Sequence, residues 1–87
     1  MVWQRSKELA GLIYQITNTG PISKEYSLRD QIKRSVVSIP SNIAEGDERD
    51  TDKDSIRFFL MAKGSLAELR TQIEITFNIG YLPEEDY

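Results

Sequence analysis

The feature that most constrains this chain is a ladder of apolar residues, Leu28, Ile32, Val36, Ile39 and Ile43, stepping by 4, 4, 3 and 4. Steps of three and four put all five side chains on one face of an α-helix. Pro40 falls inside the ladder, where it removes one backbone hydrogen bond and is expected to kink the helix. Gly46 follows the last rung and reads as the C′ residue that stops it. The same stretch carries Asn42 and Glu45, polar groups that the ladder would place close to a core.

The flanking sequence supplies more helices and no strand pattern. The first helix is expected from Trp3 to about Thr17, with Leu9, Ile13 and Ile16 on one face and Ala10, Leu12 and Tyr14 beside them. Asn18-Thr19-Gly20-Pro21 ends it by turn chemistry, and a short loop through Ile22–Tyr26 follows. Ser27 reads as the N-cap of the second helix, with Asp30 at N3 as its reciprocal partner, and that helix is expected over about 28–44. Thr51 and Asp54 repeat the capping pattern, opening a third and longest helix over about 52–78. Its apolar set is Ile56, Phe59, Leu60, Leu66, Leu69, Ile73 and Phe77, and its middle is small-sided at Ala62, Gly64, Ser65 and Ala67. A mid-helix glycine costs about 1 kcal/mol relative to alanine. The expected compensation at Gly64 is close approach to the second helix near Pro40, with a subunit contact as the alternative. Gly80 lies near a C′ position, and Pro83 followed by three acids reads as the start of another helix at about 83. The fold class is therefore all-α, an up-down antiparallel helix bundle with left-handed packing.

With 87 residues, such a chain buries only about 60–65% of its unfolded surface and is marginal alone. It has no cysteine and no histidine. That removes disulfides, thiolate metal sites, the commonest metal ligand and the commonest general base. Stability must come from helix packing or from oligomerisation. No Gly-rich phosphate loop and no nucleophile arrangement appears, so no catalytic, cofactor-binding or metal-ligating residue is expected. No apolar run reaches the ~18 residues of a membrane span. The N-terminus lacks an apolar signal core, so the expected location is the cytoplasm.

Four polar constellations stand out. Ser41, Asn42 and Glu45 on the second helix and Ser65, Glu68 and Gln72 on the third would meet across an antiparallel pair. They form either a network that fixes helix register or a ligand pocket. Lys24, Arg29, Lys33 and Arg34 form a basic group, with Arg29 and Lys33 one turn apart and Arg5 and Lys7 as possible neighbours. Such a stripe can neutralise phosphates, and it is also what an ordinary solvated face looks like. The charge split sharpens the first reading: residues 1–44 carry a net +3 and residues 45–87 a net −6, within an overall −3. The small patch at Ala62, Gly64 and Ser65 is the third. The fourth is the acidic turn Glu45, Asp47, Glu48, Asp50, Asp52 and Asp54. It lacks the glycine and terminal glutamate of an EF-hand and reads as solvated.

Two stretches carry a resemblance. Ser38-Ile39-Pro40-Ser41-Asn42-Ile43-Ala44-Glu45-Gly46, followed by Gly64-Ser65-Leu66-Ala67-Glu68-Leu69-Arg70-Thr71-Gln72, is similar to the signature of proteins encoded in intervening sequences of 23S ribosomal RNA genes. That family is related to the accessory variability determinant of diversity-generating retroelements. The resemblance covers about Trp3 to Leu82. It implies a four-helix bundle, three helices of which are complete here while the fourth is absent or truncated. It also implies a ring-like homo-oligomer, with a pentamer as precedent, and a non-enzymatic protein. Because the related accessory proteins bind nucleic acid, it favours reading the basic group Lys24, Arg29, Lys33 and Arg34 as a face for structured RNA or a ribonucleoprotein partner. The acidic turn departs from the family, where this turn is often basic, and so argues against an RNA site at that end. The competing expectation is a scaffold or protein-interaction subunit with no nucleic-acid binding. No membrane partner is expected.

Overall fold

The computed structural model describes residues 2–81. They form α1 (Val2–Thr17), a short 3₁₀ turn (Pro21–Lys24), α2 (Tyr26–Asp47) and α3 (Asp52–Asn78), with no strand among the described residues. The expected start of a fourth helix at about 83 lies outside the described residues. No helix among them is long and apolar enough to cross a membrane.

α2 is the central element. Its ladder supplies Ile32, Val36 and Ile39 to a core completed by Ile13 of α1, Ile22 of the 3₁₀ turn and Leu69 of α3, with Leu28 and Ile43 packed against it. Ile32 and Val36 are fully buried, and burial of each contributes about 1.5–3 kcal/mol. Both neighbours run antiparallel to α2. Trp3 shares a groove with Ile43 and Asp47, while Tyr14 shares a cleft with Lys33 and Val37. On the other side Ser55 of α3 bonds Gly46, and Ser65 bonds Ser38. α2 continues through Pro40 to Asp47.

Several local expectations need correction. α2 begins at Tyr26, not after a Ser27 cap, and its N-cap Glu25 makes no side-chain capping bond. The 3₁₀ turn runs straight into the helix: the Glu25 amide donates to Ile22 O at 3.1 Å and the Arg29 amide to Glu25 O at 2.9 Å. No side chain caps the first turn of α2, and Asp30 pairs with Arg29 instead. Gly46 does not stop α2 either. It is buried inside the helix, where a Cβ would meet Phe59 Cε1 at 2.5 Å. Its missing side chain is what lets the ring of α3 settle on α2. Gly64 shows the reverse: a Cβ there would meet nothing within 4 Å, so close approach to α2 does not account for it.

The ends of α3 follow local chemistry. Thr51 Oγ1 accepts from the Asp54 amide at 3.2 Å, with Asp52 and Asp54 in the first turn. At the far end Gly80 adopts φ 81. The Tyr81 amide donates to Thr76 O at 2.9 Å and the Gly80 amide to Phe77 O at 3.0 Å, which is a Schellman motif. Tyr81 folds back against the core, the apolar contact that usually accompanies this motif.

α3 departs most from its pattern. Ile56 (56%), Leu60 (61%), Phe59 (41%) and Leu66 (42%) are exposed, and the buried positions are Ala62, Ser65, Leu69 and Thr76. The first half of α3 lies on α2 through the small residues Ala62 and Ser65 with its large side chains on the flanks, while further along Leu69 and Ile73 reach the core.

Candidate functional site

The basic group gathers at the α1–α2 seam, and most of its members are engaged. Arg29 pairs with Asp30 at 3.1 Å, donates through Nη1 to Ser23 O at 3.0 Å, and lies over the Tyr26 ring at 4.9 Å. Lys33 Nζ donates to Asn18 Oδ1 at 2.9 Å and lies over the Tyr14 ring at 4.8 Å. Arg34 is exposed and lines an open cleft with Tyr14, Lys33 and Val37. Lys24 is exposed at the end of the 3₁₀ turn, one residue beyond the Ser23 carbonyl that Arg29 holds. Arg5 and Lys7 belong elsewhere. They lie near the start of α1, where Lys7 covers the Trp3 ring at 3.5 Å, at the opposite end of α1 from Tyr14 and Asn18. Exposed Tyr14 and Tyr26 interleave with Arg29, Lys33 and Arg34. Cations over aromatic faces can engage phosphates and stack on unpaired bases.

The six residues of the expected inter-helix network divide. Ser65 Oγ lies 2.7 Å from Ser38 Oγ, and Asn42 Nδ2 donates to Ser38 Oγ and to Ser38 O, each at 2.9 Å. These bonds link α2 to α3 through Ser38, which the residue pattern did not single out. Ser41 turns away: its hydroxyl donates to Val37 O at 2.8 Å within its own helix. Glu45 is exposed and pairs with Arg49 in the turn, so it is not the buried acid the ladder suggested. Glu68 is exposed as well and needs no buried basic partner. Gln72 lines the α2–α3 cleft together with Glu68, and its Oε1 is buried with no hydrogen-bond partner.

A signal for the missed residues does exist. Gln31, Ser35, Ser38 and Asn42 step by 4, 3 and 4, the same rhythm as Ile32, Val36, Ile39 and Ile43 one position along. A polar ladder beside an apolar one marks the edge of the buried face. Gln31, Ser35 and Ser38 line one wall of the α2–α3 cleft.

A second groove is apolar. Val2, Trp3, Ile39, Ile43, Phe59 and Leu66 line about 480 Å³ of space between the α1 end, α2 and α3. The acidic turn forms no cage: among the described residues, no group of three or more carboxylates could hold a metal ion.

Comparison with known proteins agrees with the two signature stretches. A family model described as 23S rRNA-intervening sequence protein matches residues 1–87, and the chain belongs to that family. Comparison with curated proteins finds no match. The family description gives a genetic location and names no reaction.

Proposed function

From that membership and the geometry of the α1–α2 seam, we propose that this chain is a non-enzymatic, self-assembling cytoplasmic protein that presents the seam to structured RNA or to a ribonucleoprotein. The observation that carries the RNA reading is the open cleft lined by Tyr14, Lys33 and Arg34, with Asp30, the ion-pair partner of Arg29, beside them. Cations beside an exposed aromatic ring suit both phosphate and an unpaired base.

Self-assembly is supported by the apolar surface. Among the described residues, thirteen large hydrophobic side chains are exposed against seven buried hydrophobic ones. Seven of the thirteen, Ile56, Phe59, Leu60, Met61, Leu66, Ile75 and Ile79, lie on α3 or at its end, and apolar surface gathered on one element suits association. We read α1, α2 and α3 as three helices of a four-helix bundle, with the apolar groove at Trp3, Ile43 and Phe59 as the place a fourth helix would cover. A ring-like homo-oligomer, a pentamer by the family's precedent, would bury the exposed flanks of α3 between copies.

The test is binding to a panel of structured RNAs at low and moderate salt, with the assembly mass recorded alongside. The expected result is an oligomer whose RNA affinity falls steeply with salt. Combined Arg29→Glu and Lys33→Glu should weaken binding and reduce the salt slope by about one for each phosphate no longer neutralised, with helicity intact. Salt-independent or absent RNA binding overturns the reading. One observation favours a second one: Arg29 is already neutralised by Asp30 in a chain of net charge −3. A scaffold acting through protein contacts would show the same stable oligomer and no RNA affinity.

A further inference from the structure

The α2–α3 cleft is not used by that reading. It holds about 320 Å³ and is walled by Gln31, Arg34, Ser35, Glu68 and Gln72 among others, which places it at the small end of ligand pockets, about 300–1,000 Å³. Ser38 and Ser65 in its wall bond each other, while other polar groups there have no partner. Gln72 Oε1 is buried and has no partner. Ser35 is 8% exposed, and its hydroxyl has no partner among the described residues. The Arg34 guanidinium and the Glu68 carboxylate line the same cleft and form no ion pair with each other or with any described residue. Buried polar groups are normally paired, and an orphan acceptor in a cleft marks the absence of something that donates to it.

We propose that this cleft is a binding site for an unpaired guanine base, a proposal that rests on the RNA reading above for the source of the base. The cleft is lined by a carboxylate, Glu68, and a cationic donor, Arg34, and Gln72 Oε1, closed to solvent as it stands, becomes a second acceptor once the amide turns toward the cleft. Guanine is the base whose edges complement that set. Its N1–H and N2 amino group offer adjacent donors to a carboxylate and an amide oxygen, and its O6 and N7 accept from an arginine. Adenine and cytosine offer only an amino group, and uracil a single N–H. Sequence-specific RNA recognition works on splayed bases read along such edges. Arg34 also lines the adjoining cleft with Tyr14 and Lys33, so one arginine is common to the seam and to this cleft.

The experiment titrates GMP, IMP, AMP, CMP and UMP against the intact chain and against Glu68→Gln and Gln72→Leu. Glu68 is exposed, so its variant should fold, and a circular-dichroism melt checks both. GMP is expected to bind at least roughly ten-fold more tightly than AMP, CMP or UMP, the discrimination one bidentate contact supplies. IMP, which lacks the N2 amino group, should lose most of that margin, and Glu68→Gln should abolish it. Equal binding of all five nucleotides, or an unchanged GMP preference in folded Glu68→Gln, overturns the proposal. The two readings fail separately. RNA that binds with equal affinity after inosine replaces its unpaired guanines would refute the guanine site and leave the RNA seam standing. Selective GMP binding by a chain that retains no structured RNA would support the cleft and refute the seam.

Discussion

α2 and α3 are both long helices, with seven and ten large apolar residues, and they spend them differently. α2 is flanked on two sides, so its five-rung ladder sits in the core or against it. α3 has a neighbour on one side only, and there it presents Ala62, Ser65, Leu69 and Thr76 while Ile56, Leu60, Met61 and Ile75 remain exposed. The difference teaches that apolar periodicity reports which faces of a helix want cover, and that the neighbours present decide which are covered. On α2 the two coincide. On α3 they do not, and the surplus is left exposed.

The sharpest way to break this contrast is a matched truncation. Ile32→Ala removes a fully buried side chain and is expected to cost about 2–5 kcal/mol in denaturant unfolding. Leu60→Ala should change the stability of the isolated monomer by less than about 0.5 kcal/mol. Equal losses at both sites, under conditions where the chain is shown to be monomeric, would mean that α3 is packed on a second side.

The glycines sharpen it next. Gly46→Ala on α2 forces the Phe59 ring aside, since its Cβ would fall 2.5 Å from Cε1. The expected loss is about 1 kcal/mol, at the low end for overpacking because the ring edge can swing. It should shrink when Phe59→Leu is added. Gly64→Ala on α3 meets nothing and should raise thermal stability by roughly 0.5–1 kcal/mol. If Gly64→Ala instead disrupts the assembly, Gly64 is a contact between copies.

The hydrogen bonds joining the two helices are worth less. Ser65→Ala removes the 2.7 Å contact to Ser38 and should cost about 1 kcal/mol. Ser38→Ala added to it should cost less than the sum of the two single changes. The caps give a contrast of similar size. Thr51→Ala removes the α3 cap and should cost about 1 kcal/mol, whereas Glu25→Ala at the start of α2 removes no capping bond and should be nearly silent by the same measurement.

This contrast also explains what could be read from residues alone. The course of α2 was legible because its ladder and its burial agree, and the Thr51 cap was legible because it is local. Gly46 was misread because an identical residue serves as a helix stop or as a seat for an aromatic ring, and only the position of Phe59 on another helix separates the two. Ser27 was misread because a 3₁₀ turn four residues long runs into α2 and starts the helix ahead of it, at Tyr26. At the candidate site, the spacing of Ser65, Glu68 and Gln72 placed them on one face of α3. Ser65 alone of the three bonds α2, through Ser38 in place of Ser41, because the facing residue depends on the rotation of α2 about its own axis. Membership of the family was carried by two contiguous signatures and needed no three-dimensional information.

Gly20, before the 3₁₀ turn, holds φ 70 and ψ −169 in open space. That region is essentially closed to residues with an L side chain. Its mirror image, with both signs reversed, is ordinary extended backbone. The fold therefore asks at this one position for the opposite hand, and the genetic code can answer only with its achiral residue. A chemically synthesised chain could answer directly: D-alanine at position 20 should fit without strain and stabilise the fold by roughly 0.4–1 kcal/mol through a less flexible unfolded chain, while L-alanine there should destabilise it. The joint between α1 and α2 is thus a place where the chirality of a single residue can be read out as a melting temperature.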